Sequence, residues 1–282
     1  MLKKTKRDMF LGKQGWYPTN PDDAEQFIRQ SLAEIDMEIE ISHGVIVPHA
    51  GWYYSGKLAC QAIGKLRKNR TDTELVIVFG GHQRPGNLPL AEKLPVFQTS
   101  FGELEIYPGI IDNLADKIQM EISDLPVQDN TVELQLPLVK YFFPKAKIIA
   151  IYLPPSEKAV KLGKVLAEIT ENIPAVVIGS TDLTHYGPNY GFAPKGTGKG
   201  ALDWVKNEND ANIIEAMLNM DAENTLFLAN NEHSACSAGA AAGVMGYVRQ
   251  KDFECKGYLI DYYTSYDIKP CDSFVGYVGI GY

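Results

Sequence analysis

The chain has little of what several large classes of protein require. Its 282 residues include only four cysteines, Cys60, Cys236, Cys255 and Cys271, with no C-x-x-C pair among them. That usage excludes a dense disulfide framework and implies a reducing compartment, the cytoplasm. No apolar run approaches the length of a membrane span, and no signal peptide is legible. Positive charge is in deficit: the formal net charge is −8, which argues against nucleic acid or an anionic membrane as a partner. Basic residues gather only at the start, at Lys3, Lys4, Lys6 and Arg7, and read as a solvated end. The nucleophile elbow G-x-S-x-G is missing, which leaves a serine hydrolase without support. No repeat, low-complexity tract or linker divides the sequence. Residues 1–282 therefore read as one domain, ample for a real core.

What is present is a strand, a polar turn and a histidine, three times over. Val45-Ile46-Val47 is a short β-branched run stopped by Pro48, with His49 directly after it. A helical segment, Lys57 to Lys68, follows. Glu74 to Phe79 runs into Gly80-Gly81-His82, and Ala175 to Ile178 runs into Gly179-Ser180-Thr181-Asp182-Leu183-Thr184-His185. In an open α/β sheet, function gathers beyond the carboxyl ends of the strands, so parallel neighbours would bring the three histidines into one crevice.

The remaining elements alternate in the same manner. Asn20 as cap, Pro21 and two acids announce a helix carrying Phe27, Ile28, Leu32 and Ile35. A bend falls between Thr99 and Tyr107, helices over 110–120 and 131–143, the latter disturbed by Pro137, and a strand over 147–153. Ser156 caps a helix to Asn172. Pro188 to Gly200 forms a loop that could act as a lid. Helices over 204–219 and 221–230 precede one over 234–249 with a small-residue face. Two final strands, 258–266 and 274–280, form an antiparallel pair at the sheet edge. Strands alternating with helices give an α/β sandwich around a mostly parallel sheet.

Each chemical candidate has an ordinary reading beside it. His49 and His82 suit a first-row transition metal as neutral imidazoles, yet either alone is more often a histidine hydrogen-bonded in a loop. Asp182 and His185 form a D-x-x-H pair that could ligate, or move a proton through an oriented imidazole; an Asx-turn beside a surface histidine is the plain alternative. Cys236, near the start of the small-residue helix and three residues after His233, has the setting of a lowered thiol pKa. Against that stands the usual fate of a free cysteine, burial as an inert thiol, which is also the reading for Cys60. His43 precedes its strand, at the opposite edge from His49, and reads as structural.

At these motifs the chain resembles the MEMO family, also called AmmeMemoRadiSam system protein B. Gly15-Trp16-Tyr17-Pro18 resembles the family's opening, and Pro48-His49-Ala50-Gly51 through Ser55-Gly56 resembles its P-H-A-G-Y-x-Y-S-G. Gly80-Gly81-His82, Glu133-Leu134-Gln135-Leu136-Pro137, Ser180 to Tyr186, Ala235-Cys236 and Phe274 to Tyr277 resemble further family segments. The resemblance implies a fold similar to class III extradiol (LigB-type) dioxygenases, whose non-haem iron lies in a strand-end pocket. It implies iron or copper on His49, His82 and Cys236, with Asp182 and His185 in the same pocket, and a functional association of microbial members with AMMECR1-like and radical SAM proteins. Two positions depart from the pattern. Asn130 stands where the family commonly has histidine, and Cys236 continues into Ser237-Ala238 rather than Gly-Arg.

Two functional readings follow. In the first, His49, His82 and Cys236 hold the metal of an oxidoreductase whose proton-handling groups are Asp182 and His185, with Glu133 and Gln135 supporting the pocket. In the second, the cleft of a non-catalytic protein takes a small molecule or peptide between the aromatic walls Trp16, Trp52 and Tyr54. Asn130 and His233 complete the expected pocket in both.

Overall fold

Continuous burial along the central strands sets the architecture. In the computed structural model, which describes residues 6–33 and 40–282, the elements in chain order begin with β1 (Lys6–Arg7), α1 (Pro21–Leu32), β2 (Gly44–Val47), α2 (Lys57–Asn69) and β3 (Leu75–Gly80). They continue with β4 (Leu90–Glu92), β5 (Val96–Thr99), β6 (Gly102–Glu105), α3 (Ile110–Ala115), β7 (Glu121–Ser123), α4 (Asn130–Glu133) and α5 (Leu136–Phe142). Next come β8 (Lys147–Tyr152), α6 (Glu157–Ile169), β9 (Ala175–Ser180), β10 (His185–Tyr186), α7 (Lys199–Trp204) and α8 (Asp210–Leu218). The chain closes with α9 (Ala222–Glu232), α10 (Ala238–Lys251), β11 (Tyr258–Thr264), α11 (Ser265–Ile268) and β12 (Phe274–Gly281).

Nine strands form one sheet in the order β10-β12-β2-β9-β3-β8-β4-β7, with β11 also paired to β12. The middle of this sheet, β2-β9-β3-β8, is parallel throughout. Its side chains alternate between two cores. Ile46, Ile77, Phe79, Ile149, Ile151 and Val177 enter the core beneath α6, α8, α9 and α10. Val45, Val47, Val76, Val78, Ile148 and Ile178 enter the other, beneath α1, α2, α4 and α5. Both faces are covered, as a parallel sheet requires. A small three-stranded sheet, β1-β5-β6, lies apart from the main one. The expected mixed α/β architecture is therefore present. Among the described residues no helix is long and apolar enough to cross a membrane.

Most expected elements are in place, with instructive differences. Asn20 caps α1 through bonds from the Asp22 and Asp23 amides; Ile35, Lys3 and Lys4 lie outside the described residues. The helix expected over 110–120 stops at Ala115, because the chain leaves it to pair β7 with β4. Pro137, in the first turn of α5, separates α4 from α5. Ser156 stands at the cap position of α6, but its hydroxyl makes no cap bond. Helix α7 begins inside the expected lid loop and runs through a wide turn, Val205–Asn209, into α8. Only β11 of the last two strands is at the edge, since β12 pairs β2 as well.

The solvated reading of Arg7 is overturned. Its guanidinium is fully buried and donates to both Glu92 carboxylate oxygens at 2.9 and 2.8 Å and to Val127 O at 2.7 Å. Burial of a guanidinium is tolerable only when carboxylates and carbonyls replace its water, and here β1 carries it into that setting.

The small-residue helix α10 packs closely on α6. A Cβ built on Gly163 of α6 would fall 2.1 Å from Gly243 O, and one on Gly239 would fall 2.3 Å from Leu153 O. Glycine is thus needed for approach rather than for turning. Helix propensity alone favours Gly163→Ala by about 1 kcal/mol. The clash is against backbone, which cannot swing aside, so overpacking of about 1–3 kcal/mol should win. Urea unfolding of Gly163→Ala is expected to show a lowered midpoint. A raised midpoint would mean that the two helices can separate freely.

Candidate metal centre

Strand order explains how the site assembles. Because β9 lies between β2 and β3, the residues just past these three ends are spatial neighbours. One nitrogen each from His49 and His82 and the Cys236 sulfur lie within 4.8 Å of one another. The two imidazoles meet edge to face with centroids 5.0 Å apart, and His49 Nε2 is 3.2 Å from Cys236 Sγ.

Each histidine is held from its far side. His49 Nδ1 is 3.2 Å from Ser180 Oγ, which also accepts from Gln135 Nε2 at 3.2 Å. His82 Nδ1 is 3.2 Å from Asp129 Oδ2. Both rings are therefore oriented through Nδ1, which leaves Nε2 as the nitrogen available to a metal, that of His49 already in contact with Cys236 Sγ. The donor set fits an ion.

Carboxylates hold the turns themselves. Asp182 Oδ1 accepts the His49 amide at 2.7 Å, and Asp182 Oδ2 lies 3.8 Å from both His49 Nε2 and His185 Nε2. His185 Nε2 is buried and has no hydrogen-bond partner among the described residues. Asp129 Oδ2 accepts the His82 amide at 3.1 Å, while Asp129 Oδ1 accepts the Thr131 amide at 2.8 Å. Gly80 is bare because Thr131 approaches it: a Cβ there would fall 2.1 Å from Thr131 Oγ1. That hydroxyl accepts the Gly81 amide at 2.8 Å, where the chain turns with φ 109°.

Cys236 lies two residues before α10 rather than inside it, with Ser237 at the cap position. Ser237 ties it to the other turns: its hydroxyl donates to Gly81 O at 2.9 Å and its amide donates to Thr181 Oγ1 at 3.1 Å. Burial opposes ionisation of the thiol, but His49, His185 and His82 overcome it and hold the pKa well below the ordinary value. Cys60 is the contrast: burial without a cation pushes it up to about 12. Burial likewise opposes charge on His82 and His185, yet Asp129 and Asp182 respectively, with Cys236, raise both to about 10. His49 is raised too, against burial, by Asp182 and Cys236. Burial would raise Asp182, but His49 and His185 hold it below the usual carboxylate range.

The other expected pocket residues divide. Asn130 and Tyr54 line a cleft of about 730 Å³ beside Asp182 and His185, together with Trp16 and Tyr53. Asn130 Nδ2 donates to His49 O at 3.0 Å. His233 lines a smaller cavity with Cys236. Trp52 is not a wall: it is buried against Tyr17 and Phe27 and donates to Leu134 O at 3.1 Å. Glu133 also lies off the cleft, accepting from the Leu11 amide at 2.6 Å and from Arg7 at 3.3 Å. Gln135 sits behind His49, donating to Pro48 O at 2.9 Å. Sequence reasoning missed Asp129, Tyr53 and Tyr190. Asp129 was findable as the acid directly before a short helix, whose N-cap it supplies.

The fold and site define an α/β protein with a strand-end centre able to hold a metal on two histidines and a cysteine. The sequence model of the Memo-like protein family matches residues 13–281, and the chain belongs to that family. It is similar to a MEMO1 family protein of Archaeoglobus fulgidus, 27% identical over 272 residues, covering 94% of this chain and 95% of the relative. A MEMO1 family protein of Nitrosopumilus maritimus is 30% identical over 247 residues, covering 84% and 83%. Among solved structures, an uncharacterized protein, JW3007, from Escherichia coli K12 superposes with a TM-score of 0.51 at 13% identity. That match covers 84% of this chain and 99% of that one, and it supports the fold alone.

Protons compete with a metal for these imidazoles. With His82 raised to about 10, binding at neutral pH must displace its proton. Affinity is expected to rise about tenfold per pH unit above neutrality for each proton displaced, levelling off as His82 deprotonates. Titration calorimetry in buffers of different ionisation enthalpy would count the released protons. A pH-independent affinity would remove His82 from the ligand set.

Proposed function

We propose that the chain is a metal-dependent oxidoreductase in which His49, His82 and Cys236 hold iron or copper. The observation that supports this best is the convergence of three donors at adjacent strand ends, with both imidazoles already oriented from behind. Imidazole and thiolate donors suit such metals, and three protein ligands leave positions open for substrate or oxygen. Such a metal would supply electron transfer and Lewis acidity there. The protein's own share is proton handling: the buried Nε2 of His185 faces Asp182, and this pair, at the wall of the large cleft, can hold or release a proton. Asn130 braces the His49 turn and carries no titrating group, so His185 would act without a second proton carrier on that wall. Cytoplasmic location and association with AMMECR1-like and radical SAM proteins belong to this proposal.

A second reading, a non-catalytic binding protein, draws on the cleft itself. Its mouth exposes Tyr53 (71%) and Trp16 (38%), more aromatic surface than a metal centre alone requires. A small molecule or a peptide could lie there.

Metal content separates the two. Protein purified without chelator or a nickel column is expected to carry about one iron or copper per chain, and His49→Ala is expected to lose it. Stoichiometric zinc, or no metal at all, would remove the redox reading. Peptide binding with the same affinity in wild type and His49→Ala would favour the second.

A further inference from the structure

The groups of the centre do not all face one space. Asp182 and His185 line the large cleft, whereas Cys236 lines a separate cavity of about 340 Å³. Its other walls are Leu183, His185, Tyr190, Gly191, Phe192, His233 and Ala235, with no lysine, arginine or carboxylate. His185 and Tyr190 line both cavities, and their rings meet at 5.0 Å, so this pair forms the partition. His233 ends α9 with φ 53°, a left-handed conformation uncommon for a residue with a side chain. Its ring lies 5.0 Å from that of Phe192, at the smaller cavity.

We propose that this smaller cavity is a second mouth of the site, admitting a small uncharged molecule to Cys236 independently of the large cleft. The size is near the lower limit for small-molecule sites, roughly 300 Å³. Leu183, Phe192 and Ala235 make its walls apolar, and the His185 imidazole and Cys236 thiol on the same lining compensate each other, so a charged ligand meets no unpaired counter-charge and desolvation selects neutral ones. The partition matters because an occupant of the large cleft would cover Asp182 and His185 but not the thiol. Nothing in this inference requires the metal, and it stands or falls separately from the oxidoreductase reading.

Alkylation of the metal-free full chain tests it, with modified cysteines counted by peptide mass spectrometry. Iodoacetamide forms a sulfur–carbon bond as iodide leaves, and Cys255, which lines neither cavity, is the reference within the same chain. Ala235→Leu narrows the second mouth. His233→Gly widens it, and glycine accepts the left-handed backbone without strain. Relative to Cys255, labelling of Cys236 is expected to slow about tenfold in Ala235→Leu, a barrier increase of about 1.4 kcal/mol. It is expected to quicken in His233→Gly and to stay unchanged in Tyr53→Ala, which opens the large cleft. The bulkier N-ethylmaleimide should show both effects more strongly, since access depends on reagent size whereas altered thiol reactivity moves both reagents alike. A Cys236 rate that follows Tyr53→Ala and ignores the other two variants overturns the second mouth. Equal shifts for both reagents overturn it as well.

Discussion

Two carboxylates hold the centre by the backbone as well as by side chains. When a parallel strand ends, the next N–H loses its ladder partner, and inside a protein it must find another. After β2 that donor is the His49 amide, since Pro48 has none, and Asp182 takes it; after β3 the Gly81 amide goes to Thr131 Oγ1 and the His82 amide to Asp129. Each carboxylate also faces an imidazole, so the bond that closes the turn places the charge that orients the ring. Loss of either acid would release a turn and a side chain together. The metal-capable geometry is therefore a consequence of ending these strands, not an addition to them.

The third donor depends on packing. Cys236 can stand beside two imidazoles only if α10 lies close to the sheet, and its Gly239 and Gly243 permit that approach. The thiol then meets a cluster whose charges support one another: acids raise the imidazoles, and the imidazoles lower the thiol and Asp182. Low local dielectric strengthens each of these effects. A helix dipole contributes little by comparison, since the cysteine stands outside the helix and the imidazoles stand within hydrogen-bond range.

The parts of this arrangement that were legible in the sequence share a cause. A β-branched run stopped by proline or glycine announces a strand end, and a histidine next to it must lie near the sheet's carboxyl edge. Neighbouring parallel strands then suffice to gather His49, His82 and His185. Trp52, Glu133 and Arg7 were misplaced because their neighbourhoods are made by contacts distant in sequence. A wide turn at Trp52–Gly56 leaves Trp52 in the core and Tyr53 outside, and residue type alone does not choose between them. Arg7 reads as solvated until Glu92, Glu133 and Val127 O arrive from more than eighty residues away.

That distant network reaches the centre. Arg7 donates to Asp129 O at 3.4 Å and to Glu133, which also receives the Leu11 amide and the Tyr17 hydroxyl. The short segment between Val127 and Glu133 is thus pinned by the N-terminal strand, and it carries Asp129 and Asn130. One orients His82; the other bonds the His49 carbonyl. The two imidazoles nevertheless differ in freedom. His49 is buried with both ring nitrogens in contact, to Ser180 and Cys236, whereas the His82 side chain is 40% exposed and held mainly through Asp129. A centre built this way has one fixed arm and one arm whose position is set by a single carboxylate. Asparagine at position 130 suits that division. It braces the fixed arm with a neutral donor and adds no second cation to a cluster whose imidazoles already favour protonation.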